Sequence, residues 1–271
     1  MIREITIGQY YVADSVIHKL DPRVKLFSTI LYIIAVFCFK GWIGFGFITF
    51  FLFSVIALSK VPLRYIVKGL KAIFILLLFT AMFNVFFTKG EMEFWHYGMI
   101  HISDQGIKNA VLMMIRLVYL ILGTSLMTLT TTPNQLTDGL EKALSPLNSI
   151  HIPVHAVAMM MSIALRFIPI LIEETDKIMK AQMARGADFE NGNVIKRAKS
   201  MIPVLIPLFI SAFRRADDLA MAMEARCYNG GEGRTKMKPL RYKRQDIVGY
   251  LLSIAFLAVV VITRLIAPWP Q

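Results

Sequence analysis

The chain has 271 residues, of which 56% are hydrophobic and 18% charged, with a mean hydropathy of +0.59 and a net charge of +12 at pH 7. Soluble domains carry roughly 45–50% apolar and about 25% charged residues, so the chain has ample surface to bury and disorder is excluded. Two cysteines, Cys38 in an apolar run and Cys227 in a basic stretch, exclude a disulfide scaffold. The positive charge suits either nucleic acid or the cytoplasmic Lys/Arg excess of a membrane protein, and its distribution decides between them.

Residues 1–23 lack an apolar core and form no signal peptide, so the first apolar run is expected to act as its own insertion signal. Five runs approach the roughly 20 apolar residues that a helix needs to cross a bilayer. They are 24–39 and 42–58, separated only by Lys40 and Gly41; 69–88, with Lys71 near its start; 107–131, containing Arg116; and 247–267, with Arg264 near its end. With the amino terminus inside, the cytoplasmic segments 1–25, 59–72 and 132–244 hold 25 of the 30 Lys and Arg residues. Lys40, Lys89, Lys108 and Arg264 then lie outside, with Glu91, Glu93 and Asp104 offsetting them. Lys and Arg mark the inner side, so this orientation is expected, with the carboxyl terminus outside. Trp42, Trp95 and Trp269 then fall at the outer interface. The charge is topological, and nucleic acid is not an expected partner. The chain thus reads as three segments: 1–131, with four spans; 132–244, a cytoplasmic and interfacial module; and 245–271, with the last span.

The middle segment does not read as a soluble domain. Its stretches 155–172 and 201–213 are strongly apolar, and each runs into a polar helical stretch. Pro169 interrupts the first, and Pro203 and Pro207 the second. Proline removes a backbone donor and kinks or breaks a helix. The expectation is two kinked helices lying along or partly dipping into the inner membrane face; a sixth and seventh true span would preserve parity, so charge counting leaves that alternative open.

An internal repeat lies in the same module. Residues 173–186 (EETDKIMKAQMARG) align with 214–227 (RRADDLAMAMEARC) at an offset of 41, pairing Asp176 with Asp217, Ala181 with Ala222, Ala184 with Ala225 and Arg185 with Arg226. Glycines follow each: Gly186 and Gly192, then Gly230, Gly231 and Gly233. Each segment therefore predicts a helix whose carboxyl end displays an arginine. A cation there is favoured by the helix dipole by roughly 0.3–1 kcal/mol, which explains either one singly. Two similar ends also suit two similar acceptors, since the guanidinium fork donates several hydrogen bonds to carbonyls or carboxylates. Capping and docking both stay open on the residues alone.

Other chemistry is sparse. No phosphate-binding loop occurs; residues 230–236 (GGEGRTK) lack its Gly-Lys-Ser/Thr ending. His151 and His155 have metal-ligand spacing, but Pro153 lies between them and no third ligand is near. His18, His96 and His101 suggest no catalytic arrangement, and no G-x-S-x-G motif is present. No enzyme activity, metal or cofactor is expected. Arg116 lies within a span, where an ionisable group is costly; it either snorkels outward, packs in a polar network or serves a substrate. Nine of the 16 methionines fall between His155 and Leu240, as core filler or as an adaptable surface for more than one partner.

Residues 14–26 (DSVIHKLDPRVKL), with Asp21, Pro22, Arg23 and Lys25 as their most recognisable part, resemble the opening signature of the transmembrane T components of energy-coupling factor (ECF) transporters. Residues 165–169 (LRFIP), containing Arg166 and Pro169, resemble the segment leading into that family's first coupling helix. Ala184, Arg185 and Gly186, and Ala225, Arg226 and Cys227, resemble its paired Ala-Arg-Gly boxes, with Cys227 departing from the usual glycine. The resemblance covers essentially the whole chain. It implies an all-α polytopic membrane protein with about five transmembrane helices and two long kinked coupling helices on the cytoplasmic side. It implies a bacterial plasma-membrane subunit of an ATP-driven importer of vitamins or related micronutrients. The two boxes would dock two ABC-type ATPase subunits, expected to differ from each other because the boxes differ. ATP would be bound by those partners, and a separate substrate-binding S component, one of several interchangeable ones or a dedicated one, would sit beside the T component in the bilayer. A stand-alone secondary transporter or a non-transporting membrane scaffold are the alternatives; the former would need charged or broken helices at mid-membrane, which only Arg116 approaches.

Overall fold

The computed structural model describes residues 10–39, 41–87, 93–97, 100–189, 193–230, 237 and 239–266. Lys40, Lys89, Glu91, Gly192, Trp269 and residues 231–236 of the glycine-rich stretch lie outside the described residues, as do the side chains of Trp42 and Trp95. Among the described residues the helices run in the order α1 (Val16–Lys19), α2 (Pro22–Cys38), α3 (Gly41–Ser59), α4 (Leu63–Phe87), α5 (Asp104–Thr130), α6 (Pro133–Leu144), α7 (Val154–Ala184), α8 (Val194–Ser200), α9 (Ile202–Glu224) and α10 (Arg244–Ile266). A 3₁₀ turn, Ser145–Ile150, precedes α7. The chain divides into two compact units, Gly8–Gly139 with Leu240–Gln271, and Leu140–Pro239.

In the first unit, α2, α3, α4, α5 and α10 form on the five predicted apolar runs. Val24, Val36, Ile48, Ile66 and Val260 are its fully buried centre. Tyr32 ties the helices together: its ring packs beside the stacked pair Phe51 and Phe256, and its hydroxyl donates to the Tyr119 carbonyl at 3.0 Å. This close approach of α2 to α5 requires glycine at 123, where a Cβ would collide with the Tyr32 ring. Gly249 plays the same part between α10 and α2, where a Cβ would stand 2.9 Å from Val24. A short antiparallel hairpin, β1 (Glu93–Tyr97) and β2 (Ile100–Ser103), joins α4 to α5 where the sequence suggested only a loop. Ser103 then caps α5 by accepting from the Gly106 N–H, an ordinary amino-terminal cap.

Among the described residues three helices, α5, α7 and α10, are long and apolar enough to cross a membrane, and α4, bent by 59° between Lys71 and Ile73, makes a fourth if its halves count as one span. The apolar length of α3, Gly44–Ser59, is shorter. Along α4, Phe74, Ile75, Leu76, Leu78 and Phe79 are all more than half exposed, an apolar surface on a scale that water-soluble monomers do not present. The molecule is an all-α membrane protein, its described residues helical apart from the hairpin and the connecting turns.

In the second unit Pro169 lies within one continuous helix, compatible with a helix that is kinked rather than broken at the proline. Rather than ending or splitting there, α7 continues for 31 residues with Pro169 inside it. A proline forfeits only its own N–H bond and crowds one preceding carbonyl, and the long apolar stretch on either side keeps the rest of the ladder. In α9, Pro203 sits in the first turn, where its missing donor costs nothing, and Pro207 is carried inside the helix. The apolar stretch of α7 thus belongs to a helix long and apolar enough to cross a membrane.

Candidate functional site

The sequence repeat is built as a repeat of backbone geometry. At the end of α7 the Ala187 N–H bonds the Gln182 carbonyl at 3.0 Å, and the Gly186 N–H bonds the Met183 carbonyl at 2.9 Å. At the end of α9 the Tyr228 N–H bonds the Met223 carbonyl at 3.1 Å, and the Cys227 N–H bonds the Glu224 carbonyl at 2.8 Å. Both are Schellman caps, the pairing of bonds that satisfies the last carbonyls of a helix, and all four atoms correspond at the offset of 41. The motif needs a left-handed residue after the capping arginine. Gly186 supplies it at φ 88°, and Cys227 supplies it at φ 55° despite its Cβ, so the departure from glycine leaves the turn intact. Left-handed backbone costs an L-residue about 1–2 kcal/mol relative to its preferred conformations.

Each cap turns the chain sharply and leaves its tripeptide outside. Ala184, Arg185, Gly186, Ala225, Arg226 and Cys227 are all exposed, and neither the Arg185 nor the Arg226 guanidinium has a hydrogen-bonded or ionic partner among the described residues. The tripeptides remain separate, at the ends of two helices that pack on each other further back. There Glu174 of α7 accepts from the Ser211 hydroxyl on one oxygen, and from Arg215 Nη2 at 2.9 Å and Nε at 3.3 Å on the other. Gln182 Nε2 also donates to the Pro203 carbonyl.

Arg166 and Arg226 line one side of a groove of about 600 Å³ between α7 and α9, with Met159, Met223, Cys227 and Tyr228 among its other walls. Pro169 is exposed on α7. His155 does not pair with His151; its Nδ1 lies 3.0 Å from Glu141. Among the described residues no group of three His, Cys, Asp or Glu side chains could hold a metal ion.

The amino-terminal signature residues lie in the other unit and form an internal network. Asp21 caps α2 by accepting from the Arg23 N–H at 2.9 Å, and Pro22 occupies the first helical turn. The Arg23 guanidinium folds back onto both Asp21 oxygens at 3.0 Å and stacks 4.0 Å from the centre of the Tyr242 ring. The Asp21 N–H donates to Asp246 Oδ1 at 2.8 Å, while Asp246 Oδ2 accepts from the Lys243 N–H. Lys25, 6% exposed, donates to the carbonyls of Thr130 at 2.8 Å and His18 at 3.2 Å. His18 itself bridges the Tyr11 carbonyl and the Ser15 hydroxyl. Because a carbonyl can only accept, Nε2 carries the proton and Nδ1 accepts from Ser15. Burial lowers the His18 pKa from its usual 6.5, outweighing the backbone bond to Tyr11, and the nearby Lys25 charge adds to the lowering.

The sequence alone did not reveal Asp246 or Tyr242 as partners of the signature, 225 and 219 positions away from Asp21 and Arg23. Their only signal was a lone acid at the start of the last apolar run. Arg116 stands 5.2 Å from the Phe39 ring centre, with its Nε buried and unpartnered among the described residues. This is an intramembrane cation–π contact at the end of α2.

The cobalt transport protein family, CbiQ, matches residues 13–237. Over 266 residues the chain is 53% identical to the energy-coupling factor transporter transmembrane protein EcfT of Clostridium kluyveri, covering 98% of each. It is 51% identical over 262 residues to the EcfT protein of Ruminiclostridium cellulolyticum, covering 97% of this chain and 98% of that one. It is 51% identical over 252 residues to that of Thermosediminibacter oceani, covering 93% and 95%.

Proposed function

The chain belongs to the CbiQ family and, within it, to the transmembrane components of energy-coupling factor transporters, and on that premise we propose that it is the subunit that couples two ATPases to substrate import. It is a multi-pass membrane protein and a transporter subunit rather than an enzyme. In the proposed assembly Arg185 and Arg226, with their small neighbours, insert into matching acceptor sites on two ABC-type ATPase subunits. The single observation that supports this is the twofold construction of one cap, with the arginine exposed and unpaired both times. One helix end displaying a cation is explained by its dipole; the same backbone geometry built twice is what a pair of related partners would fit. The boxes differ at Gly186 and Cys227, which favours two different ATPases.

The same reading gives the rest of the machine. The excess of Lys and Arg in segments 1–25, 59–72 and 132–244 supports a cytoplasmic location for the boxes and the amino terminus, with α7 and α9 along the inner membrane face rather than crossing it, and an outer location for the carboxyl terminus at the bacterial plasma membrane. ATP is bound by the partners. A separate S component carries the vitamin or related micronutrient, and the Met-rich module provides a surface adaptable to more than one such component.

The test is co-purification. Arg185→Ala with Arg226→Ala is expected to leave the chain inserted in the membrane while the ATPases are lost. A guanidinium buried and hydrogen-bonded at an interface is worth about 2–5 kcal/mol when truncated. Undiminished ATPase with the double variant overturns the docking role.

A further inference from the structure

Glu174 and Arg215 are themselves counterparts in the repeat, since both the helices and the caps register at an offset of 41. Their salt bridge therefore joins equivalent positions of α7 and α9, the contact that a twofold arrangement of the two repeats would place at its centre. Each arginine of the boxes lies eleven residues beyond its member of the pair. At 1.5 Å per residue, both helical arms are about 16 Å long. We propose that Glu174 and Arg215, with Ser211, are positioning residues that clamp the two helices at this point and so fix the spacing of the two boxes.

The chemistry suits a clamp. Both carboxylate oxygens of Glu174 are engaged, one by the Ser211 hydroxyl and the other by two nitrogens of the Arg215 fork. Two-point attachment fixes orientation as well as distance, which a single lysine contact would not. Two of the three groups lie on α9, one turn apart, so the carboxylate of α7 is held against a defined stretch of that helix. The side chains are 23% and 40% exposed, so their worth as plain stability is small; their value lies in setting geometry. This inference rests on the docking reading, because a fixed spacing matters only if both boxes engage partners at once.

The test is charge reversal in the full complex, reconstituted in liposomes with its ATPases and S component. Glu174→Arg and Arg215→Glu singly are expected to retain the ATPases on co-purification but to reduce substrate imported per ATP hydrolysed roughly tenfold, within the range of coupling between residues of one network. Glu174→Arg combined with Arg215→Glu is expected to restore the ratio to within about threefold of the original chain. Single variants that couple normally, or a double variant as poor as the singles, overturn the clamp. A second measurement is independent of docking. Spin labels on Cys227 and on Ala184→Cys, in a Cys38→Ser background of the full chain alone, should give one narrow distance distribution that broadens in Glu174→Arg and narrows again in the double reversal. If the distribution stays narrow in Glu174→Arg, the clamp is wrong whatever the ATPases do; if it follows this pattern but Arg185→Ala with Arg226→Ala keeps its ATPases, the docking reading alone fails.

Discussion

Two basic clusters of this molecule use their charge in opposite ways. Around Asp21, Arg23 and Lys25, each polar group is met from within: Arg23 by both Asp21 oxygens, Lys25 by two carbonyls, Asp246 by two backbone N–H groups. At Arg185 and Arg226 the backbone is equally well satisfied, but the guanidinium groups have no partner among the described residues. The first cluster is a brace that ties α2, α5, α10 and the chain before them. The second has a finished scaffold and an unfinished side chain. Charge that is internally paired is spoken for, whereas charge held outward on a rigid cap is available to another molecule.

That contrast can be broken by substitution. The largest effect is expected in the brace. Asp246→Ala leaves the buried Asp21 N–H without its acceptor and removes a bond to the N–H of the exposed Lys243, at a cost of about 1–3 kcal/mol, chiefly for the stranded Asp21 group. Unfolding in detergent should show a loss of that size, and an unchanged midpoint would contradict the brace. Arg185→Ala and Arg226→Ala should each stay within about 0.5 kcal/mol of the starting stability in the same experiment, despite abolishing ATPase retention together.

The two caps offer a finer test because they differ at one left-handed position. Gly186→Ala should destabilise the end of α7 by about 1–2 kcal/mol, whereas Cys227→Gly should relieve strain and raise stability by up to about 1 kcal/mol. Hydrogen exchange at Ala187 and Tyr228 would read the two caps separately. If both substitutions act in the same direction, the caps are not equivalent.

The smallest expected effect is a pH dependence at His18. Its folded-state pKa is depressed by burial, so the unfolded chain takes up the proton first as pH falls. The contribution is therefore complete above the unfolded value of about 6.5 and is lost as pH drops from there through the folded value. His18→Gln, whose amide can donate to the Tyr11 carbonyl but does not titrate, should flatten this slope below about pH 6.5. An identical slope in the variant would assign it elsewhere.

Much of this was legible in the sequence, for identifiable reasons. The five apolar runs gave α2, α3, α4, α5 and α10 because sustained hydropathy is a local property. The offset of 41 predicted matching helix ends, and the caps match atom for atom. Pro169 stays inside α7, because a long apolar helix on both sides absorbs one lost bond, and the local rule for proline left a kink and a break equally open. The hairpin over Glu93–Tyr97 and Ile100–Ser103 was missed because short polar–aromatic stretches between spans carry little pattern. The pairing of Asp21 with Asp246 joins opposite ends of the chain, and no local signal encodes a contact of that range. Glu174 and Arg215 were within reach, because the same alignment that matched the boxes also matched them.

The most direct measurement of the central claim is site-specific photo-cross-linking in the assembled transporter. With a photoreactive residue at position 184 or 225, beside the exposed arginine of each box, the account predicts covalent products with ATPase subunits, and with a different subunit from each position if the two ATPases differ. Products formed only with lipid, or only within this chain, would contradict it.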